Sequence, residues 1–315
     1  QKFPTPFNGT GARGCNSLAS SLLLSLLPPN APFFRLVLDD SALRQVEGLP
    51  DVKTEIETSL ADMERAVMKE VEAQNIRVSL FEILKHLIVG GNCLLHFADD
   101  GGLRVFPLSR YVVKRDAMGK PLNIVTKEAI QPDELPEEIQ AQVASNSPDG
   151  SVDLYTCIHR IPGDKFEVFQ TVGDTQVPDS YGTYPADKLP FLPLRMYAVE
   201  GEDYGRSYVE QYLGDLRSLE GLTQSIVEGA AAASKILFLV SPNGTTRART
   251  LAKSPNGAIV EGNAGDVSVL QSQKQADLAI AAQTATQIAE RLSYAFLLTE
   301  STVRNAERVT AEEIR

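Results

Sequence analysis

The amino-terminal residues carry the glycine spacing that binds a dinucleotide in many α/β enzymes. The run GTGARG at residues 9–14 matches the pattern GxGxxG, and Asp39 and Asp40 follow at the end of a predicted strand. A dinucleotide site needs a hydrophobic strand leading into the glycines and a helix behind them, so that the pyrophosphate meets the helix N-terminus. Residues 1–8 contain two prolines and cannot form that strand, and no βαβ alternation follows. The pattern therefore predicts a flexible glycine turn, and the alternative is a nucleotide-dependent enzyme that uses the turn from Gly9 to Gly14.

The other reactive residue types do not form a catalytic or metal-binding pattern. The sequence contains neither a GxxxxGK[ST] phosphate loop nor a GxSxG nucleophile motif. Cys15, Cys93 and Cys157 lack CxxC spacing, and the three histidines do not cluster. This spacing argues against a disulfide framework and against a zinc site. These patterns offer no catalytic residue, and we predict no cofactor and no metal.

The charge distribution restricts the kinds of partner. The chain has a formal net charge of −11, and residues 1–203 hold 29 acids and 19 bases, against 12 and 11 in residues 204–315. Such an acidic chain does not hold DNA by neutralising its phosphates, although DNA can pass through it. No apolar run is long enough to span a membrane, so we expect no membrane partner.

One stretch of the chain is basic. Residues 236–275 contain four bases and two acids, and Arg247, Arg249 and Lys253 lie there among strong turn signals. These three residues form either an ordinary solvated loop or a docking surface for an acidic partner or a phosphate backbone. The sequence leaves both interpretations open.

The elements before residue 204 predict an α+β region. Helices are expected at 16–27, at 52–71 with an apolar stripe on one face and acids and lysines opposite, and at 78–87, where Gly90 and Gly91 follow. The apolar period then changes to two, which predicts an antiparallel, meander-like set of strands. The expected strands are 33–38, 93–97, 103–106, 111–115, 124–128, 152–160, 166–171 and 192–198, with a short acidic helix at 133–144.

The elements after residue 203 predict two long helices, 207–234 and 276–298, on either side of short strands at 236–240, 258–260 and 267–270. The second helix is rich in alanine, and small side chains allow a close approach between helices. We therefore expect Ala282, Ala285, Ala289 and Leu292 to pack against another copy of the chain in a ring. A polar loop at 299–309 leads to a capping-box helix start at 310–315, which predicts that the natural protein continues beyond this point.

This arrangement resembles a phage portal protein, and more narrowly the head-to-tail connector of short-tailed podoviruses. The resemblance covers almost the whole chain. Its most specific blocks are NAERVTAEEIR at 305–315, RLSYAF at 291–296, YGRSY at 204–208 continuing into YLGDLRSLE at 212–220, and the amino-terminal residues 6–20.

The resemblance implies a ring of twelve subunits at one capsid vertex, around a channel for double-stranded DNA. It implies a wing at 1–203, stem helices at 204–234 and 276–298, a clip at 235–275, a tunnel loop at 299–309, and at 310–315 the start of a wing or crown helix whose crown is missing here. The implied partners are the terminase large subunit, tail adaptor and tail tube proteins, and the major capsid and scaffolding proteins. The implied location is the virion, with the host cytoplasm during assembly.

The resemblance also assigns roles to two loops. The clip bases Arg247, Arg249 and Lys253 would dock the terminase and later the tail proteins. The tunnel loop would contact DNA transiently, although its arginines can instead brace the next helix through exposed ion pairs. The tunnel-loop residues are Glu300, Arg304, Asn305, Glu307 and Arg308.

Overall fold

The computed structural model describes residues 5–29, 31–39, 50–98, 101–140, 150–233, 237–255, 257–270 and 275–298. The chain divides into two compact units. The sheet unit comprises Cys15–Tyr212, and the helical unit comprises Gln1–Gly14 together with Leu213–Arg315. Helices and antiparallel strands occur together, so the predicted mixed α+β class is confirmed.

The described residues up to 90 form three helices: α1 at Thr10–Leu26, α2 at Pro50–Ala73 and α3 at Ile76–Gly90. Helix α1 begins earlier than the predicted residue 16, so the glycine run lies at and within its first turns. Helix α3 ends as predicted, because Gly91 adopts φ 71° and donates its N–H to the Leu87 carbonyl.

A three-stranded antiparallel sheet follows α3. It consists of β1 at Asn92–Phe97, β2 at Leu103–Pro107 and β9 at Phe191–Arg195, in the order β2-β1-β9. Because neighbouring side chains on a strand point to opposite faces, Cys93 and Leu95 pack with Ile83 of α3, while Leu94 enters the core on the other side. This sheet therefore has apolar packing on both faces.

The second sheet has six antiparallel strands and confirms the predicted meander. The strands β3 (Tyr111–Arg115), β4 (Pro121–Ile130), β5 (Val152–Ile161), β6 (Lys165–Val172) and β7 (Thr175–Gln176) are neighbours in that order, and β8 (Gly182–Pro185) also pairs with β6. Alternate residues of this sheet face the three-stranded sheet and share one core with it. That core contains Leu94, Phe106, Tyr111, Val113, Ile124, Ile158, Phe166, Val168 and Phe191.

A smaller cluster lies beside the six-stranded sheet. Leu135 and Ile139 pack there with Val152 and Val172. The helix predicted at 133–144 is a 3-10 turn at Pro132–Glu134 followed by a single turn, α4, at Glu137–Gln140, and residues 141–149 lie outside the described part. Pro136 separates the two turns and accounts for the break, because a proline disfavours helical geometry in the residue that precedes it.

The predicted helix at 207–234 is divided. A single turn, α5 at Tyr208–Gln211, is capped by the Ser207 side chain, and α6 runs over Leu213–Ala233. The chain continues through β10 at Leu237–Val240, α7 at Ala248–Lys253, β11 at Val267–Leu270 and α8 at Gln275–Ala295. Strands β10 and β11 lie within the predicted strands 236–240 and 267–270, and they form a two-stranded antiparallel sheet.

Two predicted strands are wrong. Residues 33–38 are irregular, and the Leu36 N–H donates to the carboxylate of Glu64 on α2 instead of pairing with a strand. Residues 258–260 are also irregular. Both segments are rich in apolar residues, as many strands are. However, a strand also needs a neighbour with free backbone groups, and β10 and β11 pair with each other.

Candidate functional site in the helix pair and its basic loop

Helices α6 and α8 of the helical unit form an antiparallel pair. At one end, a Cβ built on Gly229 would lie 2.7 Å from Cδ2 of Leu278, and at the other end Arg291 donates to Asp215 at 2.9 Å. Since residue 229 lies beside 278 and residue 215 beside 291, the two helices run in opposite directions. The segment that joins them, residues 237–270, therefore emerges at the Gly229 end.

The amino-terminal segment is attached to α6. The Glu220 carboxylate accepts hydrogen bonds from the backbone N–H groups of Phe7, at 2.7 Å, and Asn8, at 3.0 Å. The Asn8 side chain then accepts from the Thr10 N–H at 2.8 Å and so satisfies a donor at the start of α1. No sequence motif marks Glu220, because a long-range acceptor of this kind is defined only by the fold.

The glycine run has a packing role, which corrects the prediction of a flexible turn. A Cβ on Gly11 would lie 3.0 Å from Leu216 of α6, and a Cβ on Gly14 would lie 2.8 Å from the Cβ and Cγ atoms of Phe296, which follows α8. Small residues allow such a close approach between a helix and its neighbours. The spacing of these glycines therefore reflects the packing of α1 on other parts of the helical unit.

The segment between the helices, residues 237–270, is organised around Asp266. One oxygen of its carboxylate accepts from the Thr246 N–H at 3.1 Å and from the Thr245 hydroxyl at 3.2 Å, while its backbone carbonyl accepts from Ser241. The backbone hydrogen bond from Thr246 is the main cause that lowers the pKa of Asp266 below its usual range. The ionised carboxylate therefore connects the turn after β10 to the start of β11 through hydrogen bonds.

The three predicted docking bases lie on or beside the short helix α7, and all three are exposed. Arg249 and Lys253 are four residues apart and share one face of the helix, while Arg247 occupies its N-cap position. Within the described part of the chain, none of the three takes part in an ion pair. The structure thus brings the three bases together on one short exposed element.

The four residues predicted to contact a second copy differ in exposure. Ala282 is exposed, and Ala285 and Ala289 are half-buried. Leu292 has no exposed surface in the single chain, so it cannot reach a neighbouring subunit without a rearrangement of α8. The sequence pattern does not distinguish packing within the chain from packing against a second copy, because an apolar stripe on a helix has the same spacing in both cases.

The cysteines do not form a reactive centre. All three thiols are free, and burial raises the pKa of Cys93 to about 12. Among the described residues, no group of three or more His, Cys, Asp or Glu side chains is arranged to hold a metal ion. None of the helices in the described part of the chain has the length and apolar character needed to cross a bilayer.

The whole chain, residues 1–315, matches the family model described as bacteriophage head to tail connecting protein. The chain belongs to this family. The portal protein of Enterobacteria phage T3 is 42% identical over 323 residues, which cover 99% of this chain and 60% of the relative. The portal protein of Escherichia phage T7 is 41% identical, with the same shares covered, and that of Enterobacteria phage SP6 is 31% identical over 98% of this chain and 61% of the relative. The chain therefore spans about three fifths of the length of these curated relatives.

Membership of the connector family gives no support to the enzyme alternative for the amino-terminal glycines. The relatives are named portal proteins, and nothing in the family match supports a nucleotide-dependent enzyme. In this connector-family chain, the predicted tunnel-loop residues at 299–309 and the helix start at 310–315 lie outside the described residues. The described chain approaches them through a defined helix end, where Leu297 adopts φ 55° and the Leu298 N–H donates to the Ser293 carbonyl.

Proposed function

We propose that this chain assembles into a ring that forms the DNA channel of a phage head-to-tail connector. Double-stranded DNA enters through the channel during packaging, stays behind it during storage and leaves through it during ejection. The observation that carries the proposal is the antiparallel pair α6 and α8, with a compact basic segment at one end, in a chain of the connector family. The ring, by the same proposal, has twelve subunits and occupies one vertex of the virion after assembly in the host cytoplasm.

The regions of the connector map onto the chain as wing, stem and clip. Residues 1–203 form the wing, 204–234 and 276–298 the stem helices, 235–275 the clip, 299–309 the tunnel loop and 310–315 the start of the next helix. Because the chain as a whole is acidic, phosphate contacts along a channel made from it are weak, which suits DNA that must slide. The role proposed here is that of a structural conduit, with no catalytic step.

The clip bases provide the docking surface for the terminase large subunit and later for tail adaptor and tail tube proteins. Two observations support this docking role: all three residues are exposed, and none of them forms an ion pair within the described chain. An acidic partner gains from three cations held on one short element, because their positions are fixed before binding. Contacts of the ring with the major capsid and scaffolding proteins belong to the wing in this scheme.

Ring assembly is the decisive test. Native mass spectrometry and negative-stain images of the purified chain should show closed rings. Ala285→Arg should remove them, because adding bulk and charge at a half-buried packing position costs about 1–3 kcal/mol at each contact. Ala198→Arg, at an exposed position of the sheet unit, is the matched control and should leave the rings intact. Wild-type chain that stays monomeric at every concentration contradicts the proposed function, and intact rings of the Ala285 variant contradict the proposed stem contact.

A further inference from the structure

The second helix of the sheet unit leaves part of its apolar stripe uncovered. The sequence predicts one apolar face on this helix, yet no described residue of α2 is buried. Val52, Met63 and Val67 are 39%, 57% and 45% exposed. They lie within about 60° of one another around the helix axis, at 100° per residue, so they form one continuous strip. An amphipathic helix of 24 residues with an exposed apolar strip lacks a partner for that strip among the residues that the structure describes.

Carboxylates line one edge of this strip. Glu55, Asp62 and Glu70 follow each other at intervals of seven and eight residues, which places them about 10 and 12 Å apart along the helix. Within the described part of the chain, Glu55 and Glu70 have no cationic partner, and Asp62 pairs only with Arg65 in an exposed contact. Helix α2 as a whole contains seven acids and three bases. The strip is therefore apolar with an acidic border.

The outer face of the six-stranded sheet has the opposite character at its β3 edge. Tyr111 and Val113 enter the core, so Val112 and Lys114 point outward, and Val112 is 57% exposed. Arg110 immediately precedes the strand and is exposed. Neither Arg110 nor Lys114 forms an ion pair within the described residues, and the two lie about 13 Å apart along an extended chain. This edge therefore presents an apolar side chain between two free cations.

The apolar surface continues across the sheet from this edge. The strand register places Val112 beside Val125, Val125 beside Cys157, and Cys157 beside Phe169, all on the outer face. The result is a row of four apolar side chains that crosses β3 to β6, with the cations at its β3 end. A helix that packs on this row meets apolar surface over several strands.

The two surfaces are complementary in three respects. Each contains exposed apolar side chains, although on the sheet only Val112 is exposed and the other three members of its row are half-buried. Their charges are opposite, and the spacing of neighbouring carboxylates matches that of the two cations. A ring with cyclic symmetry needs two different, complementary patches on every subunit, since each subunit contacts one neighbour with one patch and the other neighbour with the second. Patches of opposite charge also fix the register and direction of such a contact.

We propose that the strip of α2 on one subunit packs on the β3 edge of the six-stranded sheet of the next copy in the ring. This inference rests on the proposed ring assembly. The strip is Val52, Met63 and Val67 with Glu55, Asp62 and Glu70, and its receptor is Arg110, Val112 and Lys114 with the row that Val112 begins. The contact makes the sheet unit a second assembly surface, independent of the alanine-rich stem helix.

A charge-exchange experiment tests the pairing. Asp62→Lys with Glu70→Lys, and separately Arg110→Glu with Lys114→Glu, should each raise the concentration for half-assembly at least tenfold at low salt, as measured by mass photometry. When all four substitutions are combined in one chain, the charges are exchanged and the rings should return. Asp174→Lys with Glu200→Lys makes the same charge change as the helix variant at exposed turn and loop positions, and should assemble like the wild type.

The outcomes separate this inference from the proposed function. If wild-type chain forms rings and neither pair of substitutions weakens them, the proposed contact is wrong while the ring stands. If each pair weakens the rings but the combined variant does not recover, the charges do not face each other and the contact is again wrong. If the wild-type chain forms no rings, the proposed function fails. Circular dichroism melts of every variant confirm that a loss of rings is not a loss of folding.

Discussion

The close approach of Gly14 to Phe296 leads to a prediction that separates a packing role from a flexible turn. Gly14→Ala places a methyl group 2.8 Å from the Cβ and Cγ atoms of a side chain with no exposed surface. Those two atoms are close to the Phe296 backbone, so the ring cannot move aside by changing its rotamer alone. Relief requires a shift of α1 or of the end of α8.

Two opposing effects set the magnitude. Replacing glycine by alanine inside a helix stabilises it by about 1 kcal/mol. Overpacking a tight contact costs about 1–3 kcal/mol. Because the contact involves the base of the buried side chain, we expect the upper part of that cost and a net loss of about 1–2 kcal/mol in the free energy of unfolding.

Gly11→Ala is the matched control. Its methyl group would meet Cδ2 of Leu216 at 3.0 Å, and that atom is the far end of a flexible side chain that can turn away. Urea denaturation should place this variant within about 0.5 kcal/mol of the wild type, since the helix gain offsets the smaller strain. Equal losses for the two variants, or a Gly14→Ala variant as stable as the wild type, would refute the packing argument. Calorimetry with nucleotides on the same samples checks the enzyme alternative.

Three further predictions concern the two loops. Folding lowers the pKa of Asp266, so its carboxylate stabilises the loop above the unfolded pKa, and this stabilisation is lost as the pH falls through the folded pKa. Asp266→Asn should make the stability of the loop less sensitive to acid, which limited proteolysis of the loop at a series of pH values measures. Alanine at all three clip bases should weaken terminase binding, most strongly at low salt, and leave the rings intact, whereas alanine at the exposed Lys69, Lys165 and Lys188 should leave terminase binding unchanged. If the clip variant binds terminase as the wild type does, the proposed docking role is wrong. Arg304→Gln with Arg308→Gln should reduce DNA retention in filled heads with rings preserved, and rings that fall apart instead would mean that these arginines brace the next helix.

Local sequence signals predicted most of the elements of the sheet unit. Alternation of apolar residues located β3 to β6. Short connections with their own turn residues indicated the antiparallel pairing of β3 with β4 and of β5 with β6, whereas β4 and β5 are joined by the longer segment 131–151. The same signals could not place β9, which crosses back to pair with β1 from almost one hundred residues away. Local patterns describe the faces of a strand but not its neighbour, and this is also why residues 33–38 and 258–260 have strand composition without being strands.

The sequence by itself determined the family of this chain, the α+β class, the two long helices, and the position of the basic loop between them. Each of these depends on residue types at fixed spacing along the chain. Only the tertiary structure decided what covers each apolar face: Leu292 is enclosed within its own chain, the strip of α2 is left open, and the amino-terminal glycines serve helix packing. The physical reason is that burial depends on which surfaces meet in space, and a periodic pattern specifies a surface without specifying its partner.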